Sequence, residues 1–201
     1  MEPARRLQLH RTDSTALHER AIDNLRFIRE TMERSASFTA VSGKAGIAIG
    51  CVAVITAALA HDAGPGRWGA SWLVAATLAF GIALTGMVVK ARRTDESLLH
   101  GPGRKFLLGM LPALVAGAAL TLTLHRAGLN DALPGTWLLL YGVGVMASGA
   151  FSVKVIPLMG SGFLVTGVLA LLVPVGSGDL FLALGFGGLH IIGGWIITRR
   201  H

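Results

Sequence analysis

The sequence predicts an all-α membrane protein. An N-terminal cytoplasmic amphipathic helix is followed by a polytopic bundle of six transmembrane helices, arranged as three hairpins. The first observation is composition, because 52% of the 201 residues are hydrophobic and only 14% are charged, against about 25% charged in soluble domains. The second is a series of apolar runs near the roughly 20 residues that a helix needs to cross a bilayer. The third is the one-sided placement of lysine and arginine.

Residues 1–38 are predicted to form a cytoplasmic amphipathic helix and an interfacial link, and residues 39–201 the transmembrane domain. Apolar residues recur in the first region at steps of three and four, along one stripe of a helix: Leu17, Ala21, Leu25, Ile28 and Met32. Residues 13–34 include four basic and five acidic side chains, too balanced for a helix drawn to anionic lipid. The stripe is therefore expected to contact protein: its own bundle, a sister subunit or a separate cytoplasmic partner.

Six apolar segments follow, and the breaks between them are rich in residues that favour turns. The breaks after the first, third and fifth segments read HDAGPGRWG, HRAGLNDALPG and PVGSGD. Because these breaks are short, the two segments on either side of each break are expected to pair as a helical hairpin. The apolar segments are expected to contact the lipid bilayer. The predicted spans are residues 45–60, 70–89, 106–124, 135–153, 155–173 and 180–198.

Basic residues predict the orientation of the spans. With the N-terminus in the cytoplasm, sixteen lysines and arginines fall on the inner side and only Arg67 and Arg126 on the outer side. Because cytoplasmic loops carry an excess of such residues, both termini are expected to be cytoplasmic, which requires an even number of spans. The predicted location is a bacterial inner membrane. The net charge of +7 is thus assigned to topology, and nucleic acid is not an expected partner.

Small residues four apart predict faces where helices approach closely in lipid. Gly46 and Gly50 in the first span form one such pair. These faces are expected either to pack the bundle internally or to form the seam of a homo-oligomer. The residues predicted at helix contacts are Gly46, Gly50, Gly117, Gly144, Ser148 and Gly194.

The last hairpin, residues 160–197, reads GSGFLVTGVLALLVPVGSGDLFLALGFGGLHIIGGWII. It resembles one hairpin of the HdeD-like acid-resistance membrane proteins, through glycines in both helices and a proline ending the first: Gly162, Gly167, Pro174, Gly187 and Gly194. Those are small bacterial proteins built of three such hairpins, so the resemblance implies the same plan here. The charged N-terminal helix departs from that plan and resembles the leader of a set of bacterial six-span proteins. Neither resemblance supplies a catalytic residue.

His190 is the clearest candidate for chemistry, because ionisable groups inside a membrane are rare and often functional. It lies about eight residues from the inner end of the sixth span, hence about 12 Å deep at 1.5 Å per residue. One interpretation is a proton-responsive or ligand-binding histidine. The other is a neutral histidine hydrogen-bonded to a facing serine, threonine or tyrosine.

The outer loops hold histidines and carboxylates, residue types that bind divalent metals. They come from separate loops without a helical His-x-x-x-His pair. The prediction is therefore no metal and no other cofactor, with an outer-face metal site as the alternative, formed by His61, Asp62, His125 and Asp131.

Aromatic residues near the ends of the spans are expected to lie at the membrane interface. On the outer side the predicted belt comprises Trp68, Trp72, Trp137 and Tyr141. On the inner side, Phe38 is the expected anchor of the link between the amphipathic helix and the first span.

No nucleophile elbow, phosphate-binding loop or cysteine pair occurs in the sequence, and no catalytic residue is predicted. The sequence favours a non-enzymatic membrane protein with a structural, stress-related or partner-binding role. The alternative is a small transporter or channel with His190 in its pathway. A polar cavity that reaches His190 would support the alternative, whereas a sealed bundle would count against it.

Overall fold

The computed structural model describes residues 18–28, 31–32, 38–173 and 176–200. These belong to two compact units, Met1–Ala36 and Ser37–His201. In the first unit, residues 18–28 are helical, and the side chains of Leu25, Ile28 and Met32 are exposed. Leu17, the first residue of the predicted stripe, lies outside the described residues. The protein partner of this stripe remains a prediction.

The second unit contains six helices that are each long and apolar enough to cross a membrane. The predicted all-α, six-span fold is therefore confirmed, and the residues that the structure describes include no β-strand. The helices are α1 (Gly43–Ala60), α2 (Pro65–Thr94), α3 (Gly101–Arg126), α4 (Leu133–Gly149), α5 (Val155–Leu172) and α6 (Gly178–Arg200). A short 3₁₀ turn, Asn130–Ala132, leads into α4.

Helices α2 and α3 extend beyond the predicted apolar spans. Helix α3 begins at Gly101 with Pro102 in its first turn, where proline's missing N–H costs nothing and its fixed φ suits a helix. Helix α2 continues through Arg92 and Arg93 and ends at Thr94, and the capping residue Asp95 has a left-handed φ of 54°. Hydropathy identifies only the part of a helix that lies in hydrocarbon, so it does not include these basic turns.

The helices α1, α4, α5 and α6 form the centre of the bundle, and α2 and α3 lie at its periphery. Helix α2 packs mainly on α1, and α3 packs on α4. In the most apolar stretches of α2 and α3 only 11% and 6% of the residues are buried, against 28% to 50% in the other four helices. The two most extensive contacts join α4 to α5 and α1 to α6. The three predicted hairpins therefore pack against one another, because these contacts link the third hairpin to the second and to the first.

Glycines bring α1 and α6 into backbone contact. A methyl group added to Gly46 would lie 3.3 Å from the Cα of Gly194, and one added to Gly50 would lie 2.7 Å from the carbonyl oxygen of Gly187. Both distances are shorter than the roughly 3.5–4.0 Å at which carbon atoms pack favourably. These predicted packing residues therefore lie inside the bundle of a single chain.

The contact between α3 and α4 includes two more of the predicted positions. A methyl group on Gly144 would lie 2.9 Å from the Cβ of Ala113. Ser148 is fully buried, and its hydroxyl donates to the carbonyl oxygen of Phe106 at 2.8 Å. Gly117 is less tightly packed, since a methyl group there would meet Leu140 at 3.9 Å. A homo-oligomer seam remains a prediction.

Candidate functional sites

His190 lies in α6 where a π-helical segment, Ala183–Leu189, returns to an α-helix. A π-helical turn closes its hydrogen bonds from i to i+5 and so shifts the register of the residues that follow. Here the ring of His190 lies within the bundle, and only 6% of the residue's surface is exposed.

Both ring nitrogens of His190 have partners in the protein. Nδ1 lies 2.9 Å from the carbonyl oxygen of Phe186, and because a carbonyl can only accept, Nδ1 carries a proton and donates it. Nε2 lies 2.9 Å from the hydroxyl group of Tyr141, which donates to Nε2 when the ring is neutral. The second hydrogen bond ties α6 to α4.

Three aromatic rings surround the imidazole. The ring centroids of Tyr141, Phe163 and Phe186 lie 5.5, 5.3 and 6.3 Å from that of His190, which are distances typical of favourable aromatic pairs. Phe163 comes from α5 and is fully buried. We call these four residues the histidine joint, because they connect α4, α5 and α6.

The histidine joint favours the interpretation of His190 as a histidine hydrogen-bonded to a facing tyrosine. The expectation that Tyr141 belongs to the outer aromatic belt is wrong, because its hydroxyl is bonded to His190 inside the bundle. Tyr141 lies six residues inside the predicted fourth span, hence about 9 Å from its end at 1.5 Å per residue. That depth is the sequence signal that separates Tyr141 from the tryptophans of the belt. The joint leaves neither ring nitrogen without a protein partner.

The segment formed by residues 38–42, which we call the strap, crosses one end of the bundle. Phe38 and Ala40 are 1% and 0% exposed, and the Phe38 ring packs on Phe106 of α3 with 5.0 Å between centroids. The expectation that Phe38 is an interfacial anchor is therefore wrong. A phenylalanine beside a charged helix suits a headgroup layer or a protein interior, and sequence alone does not separate the two.

Backbone and side-chain hydrogen bonds hold the strap to the turn between α4 and α5. The N–H of Phe38 donates to the carbonyl oxygen of Phe151 at 2.8 Å. The hydroxyl of Ser152 donates to the carbonyl oxygen of Phe38 at 2.7 Å. Phe38 and Ser152 form a single isolated parallel β-bridge. The strap is therefore fixed to the turn between α4 and α5.

Further hydrogen bonds hold the strap to the end of α2. The N–H and the hydroxyl of Thr39 both donate to the carboxylate of Glu96, which follows α2. The ammonium group of Lys90 donates to the carbonyl oxygen of Val41 at 3.0 Å. The strap then leads into α1, whose first turn is capped by the side chain of Ser42.

The end of the bundle that carries the strap is strongly basic, and we call it the basic end. Its only acidic residues in the described part of the second unit are Asp95 and Glu96. Its nine basic residues are Lys44, Lys90, Arg92, Arg93, Arg104, Lys105, Lys154, Arg199 and Arg200. The opposite end has Arg67 and Arg126 against three carboxylates, those of Asp62, Asp131 and Asp179.

At the opposite end, Asp179 at the start of α6 accepts hydrogen bonds from two tryptophans of α2. The indole N–H groups of Trp68 and Trp72 lie 2.7 and 3.0 Å from its Oδ1. Trp68 also stacks on Trp137 of α4, with 5.6 Å between ring centroids. The predicted belt of tryptophans thus forms a contact between helices. This contact leaves no pattern in the sequence, because Trp68 and Trp72 are each more than 100 residues away from Asp179.

The four residues of the alternative metal site are not brought together. His61 lies 3.8 Å from Asp179, and Nδ1 of His125 lies 2.9 Å from the side-chain oxygen of Asn130. Asp62 and Asp131 are exposed on separate loops. Within the described ranges, no group of three or more histidine, cysteine, aspartate or glutamate side chains could hold a metal ion.

Two open grooves lie at the surface of the described part of the bundle, and His190 lines neither of them. One lies between α1 and α2 and is lined by Thr56, Leu59, Ala70, Ser71 and Val74. The other lies at the basic end, along the last turns of α2 and residues 96–100. Neither groove forms a pathway to His190.

Six helices that can cross a membrane, packed around buried aromatic rings and glycine contacts, define a multi-pass integral membrane protein. Comparison with family models, curated proteins and solved structures finds no match to this chain. The resemblance of the last hairpin to HdeD-like proteins, and any role in stress that it implies, therefore rest on sequence alone.

Proposed function

We propose that this protein is a non-enzymatic, partner-binding protein of a bacterial inner membrane, with both termini in the cytoplasm. In this proposal the N-terminal helix binds a cytoplasmic protein through Leu25, Ile28 and Met32. The transmembrane bundle serves as the anchor. The histidine joint has a structural role.

The observation that carries the proposal is the way in which the strap is held. Five hydrogen bonds fix residues 38–41 to the α4–α5 turn and to the end of α2. Residues 38–41, which lead into α1, are therefore part of the folded bundle. In this proposal, the bundle anchors to the membrane the protein that the N-terminal helix binds.

The chemistry of the bundle supports a role other than catalysis. In the described part of the chain, every buried side-chain nitrogen and oxygen has a hydrogen-bond partner. The polar groups at depth, His190 and Tyr141, are bonded to each other. A site that binds substrate or conducts ions keeps polar groups available to it, whereas these groups are used to connect helices.

The distribution of charge supports the proposed orientation. The basic end carries nine lysines and arginines in the described second unit, and the opposite end carries two. Under the positive-inside rule the basic end faces the cytoplasm. The strap, which follows the N-terminal helix in the chain, lies at that same end.

The proposal is tested by placing charge on the apolar stripe. We expect the double variant Leu25→Asp, Ile28→Asp to insert and melt like the wild type but to lose its assembly with another protein, measured by light scattering of gently solubilised membranes. The matched control is Arg20→Gln, Arg26→Gln, which changes the net charge by the same amount away from the stripe and should keep the assembly. An assembly unaffected by the aspartates, or lost equally in the control, would contradict the proposal.

A further inference from the structure

We propose that the basic end binds the headgroup of an anionic phospholipid, in the cleft between the last turns of α2 and residues 96–100. This inference is independent of the partner of the N-terminal helix. The cleft is lined by both polar and apolar residues: Arg92, Glu96, Ser97 and His100 are polar, and Val88, Ala91, Leu98 and Leu99 are apolar. Such a mixture suits a lipid, which has a charged headgroup and an apolar chain.

The length of α2 places this cleft at the depth of the headgroups. The helix has 30 residues and is therefore about 45 Å long, longer than the roughly 30 Å of the hydrocarbon core. Trp68 and Arg92 are separated by about 36 Å along its axis at 1.5 Å per residue. With Trp68 in one interface, Arg92 reaches the headgroup layer of the other, and Val88 lies one turn closer to the hydrocarbon.

Arg92 and Glu96 are the charged residues that line the cleft. Arg92 is exposed and has no ion-pair partner among the described residues, so its guanidinium can bind two phosphate oxygens. Glu96 is the acidic residue of the cleft, and both of its carboxylate oxygens accept hydrogen bonds from Thr39. The hydroxyl of Ser97 and Nδ1 of His100 lie 3.1 Å apart at the rim.

The basic end as a whole also favours an anionic lipid over a zwitterionic one. Its nine basic residues face only two acidic ones in the described second unit. Anionic lipids attract lysine and arginine near the membrane surface with about 1 kcal/mol per residue. Leu99 is 71% exposed, which leaves an apolar side chain beside the cleft available to an acyl chain.

The test measures binding of phosphatidylglycerol and phosphatidylcholine to the purified full chain by native mass spectrometry. We expect phosphatidylglycerol to bind more tightly, and Arg92→Gln to weaken its binding about fivefold, which corresponds to about 1 kcal/mol. Arg92→Lys keeps a cation and should lose less. His100→Gln, at an exposed position of the same cleft, gives a second variant, for which we expect a smaller loss.

The matched control is Arg93→Gln, which makes the same charge change one residue along the helix and outside the cleft. We expect this variant to bind phosphatidylglycerol within twofold of the wild type. Equal binding of the two lipids, or equal losses in the Arg92 and Arg93 variants, would overturn the proposal. In a separate arm, inorganic phosphate that displaces the lipid at a similar concentration would identify a soluble anion as the ligand and would also overturn it.

Discussion

The middle of the bundle and its basic end use polar side chains in opposite ways. In the middle, His190 is buried, and both of its ring nitrogens are bonded within the protein. At the basic end, Arg92 and Arg93 are exposed and have no ion-pair partner in the described part of the chain. An unsatisfied polar group in hydrocarbon costs several kcal/mol, whereas a charge among headgroups stays solvated. The ring nitrogens of His190 therefore join helices, whereas the guanidinium groups of Arg92 and Arg93 remain available for binding.

The strap shows that the basic end has a buried layer as well as an exposed one. Phe38 and Ala40 are as buried as Phe163 of the histidine joint. Hydrogen bonds of Thr39 and Phe38 connect the strap to the end of α2 and to the α4–α5 turn. The helix ends that carry the exposed charges are therefore held in place by the strap. A binding surface requires such rigid support.

The largest effect is expected from His190→Ala in the histidine joint. Truncating a large buried side chain costs about 2–5 kcal/mol, and this change also removes the partner of the Tyr141 hydroxyl. The measurement is the free energy of unfolding in detergent titrated with denaturant. His100→Ala at the exposed basic end is the matched control and should change it by less than about 0.5 kcal/mol. If His190→Ala and His100→Ala lowered the free energy of unfolding equally, the histidine joint would not stabilise the bundle more than the exposed basic end does.

A smaller effect is expected from Gly50→Ala at the contact between α1 and α6. The added methyl group would lie 2.7 Å from the carbonyl oxygen of Gly187, and such overpacking costs about 1–3 kcal/mol. In Gly81→Ala the methyl group would have no neighbour within 4 Å, so that control should be neutral or up to about 1 kcal/mol more stable. Thermal melting of the two variants distinguishes them. If both melted like the wild type, the backbone contact between α1 and α6 would be refuted.

The smallest effect is expected from Thr39→Val in the strap. This change removes one hydroxyl donor to Glu96 and keeps the shape of the side chain, so a loss of about 1 kcal/mol is expected. Thr77→Val is the control, because the hydroxyl of Thr77 is exposed and bonded only within its own helix. Amide hydrogen exchange of residues 38–42 should increase in the Thr39 variant and stay unchanged in the control. Unchanged exchange in both would mean that Glu96 does not hold the strap.

The sequence is sufficient to predict the number and approximate limits of the helices. The requirement for about 20 apolar residues per span is strong, and glycine, proline and aspartate separate the spans of this chain clearly. The depth of His190 and the close contact at Gly46 and Gly50 follow from the same reasoning. These features depend on positions along one helix, and a sequence records those positions directly.

The pairing of side chains between helices could not be predicted in the same way. Which residue faces His190 depends on how α4 and α6 are rotated about their axes, and apolar residues surround most faces of these helices. The sequence therefore does not show that Tyr141 faces His190, or that Trp68 and Trp72 donate hydrogen bonds to Asp179. The strap was missed for a related reason, because the hydrogen bonds of its backbone leave no pattern in the sequence.

The structural role of the histidine joint is tested most directly by measuring whether water reaches His190. In a Cys51→Ser background, His190→Cys and Arg93→Cys are compared for reaction with a membrane-impermeant thiol reagent, in vesicles opened to both sides and after melting has shown that each variant is folded. We predict rapid labelling of the Arg93→Cys variant, since Arg93 is exposed at the basic end and lies outside the cleft, and no labelling of the His190→Cys variant over the same period. Labelling of the two variants at similar rates would show a water-filled path to the histidine joint and would contradict its structural role.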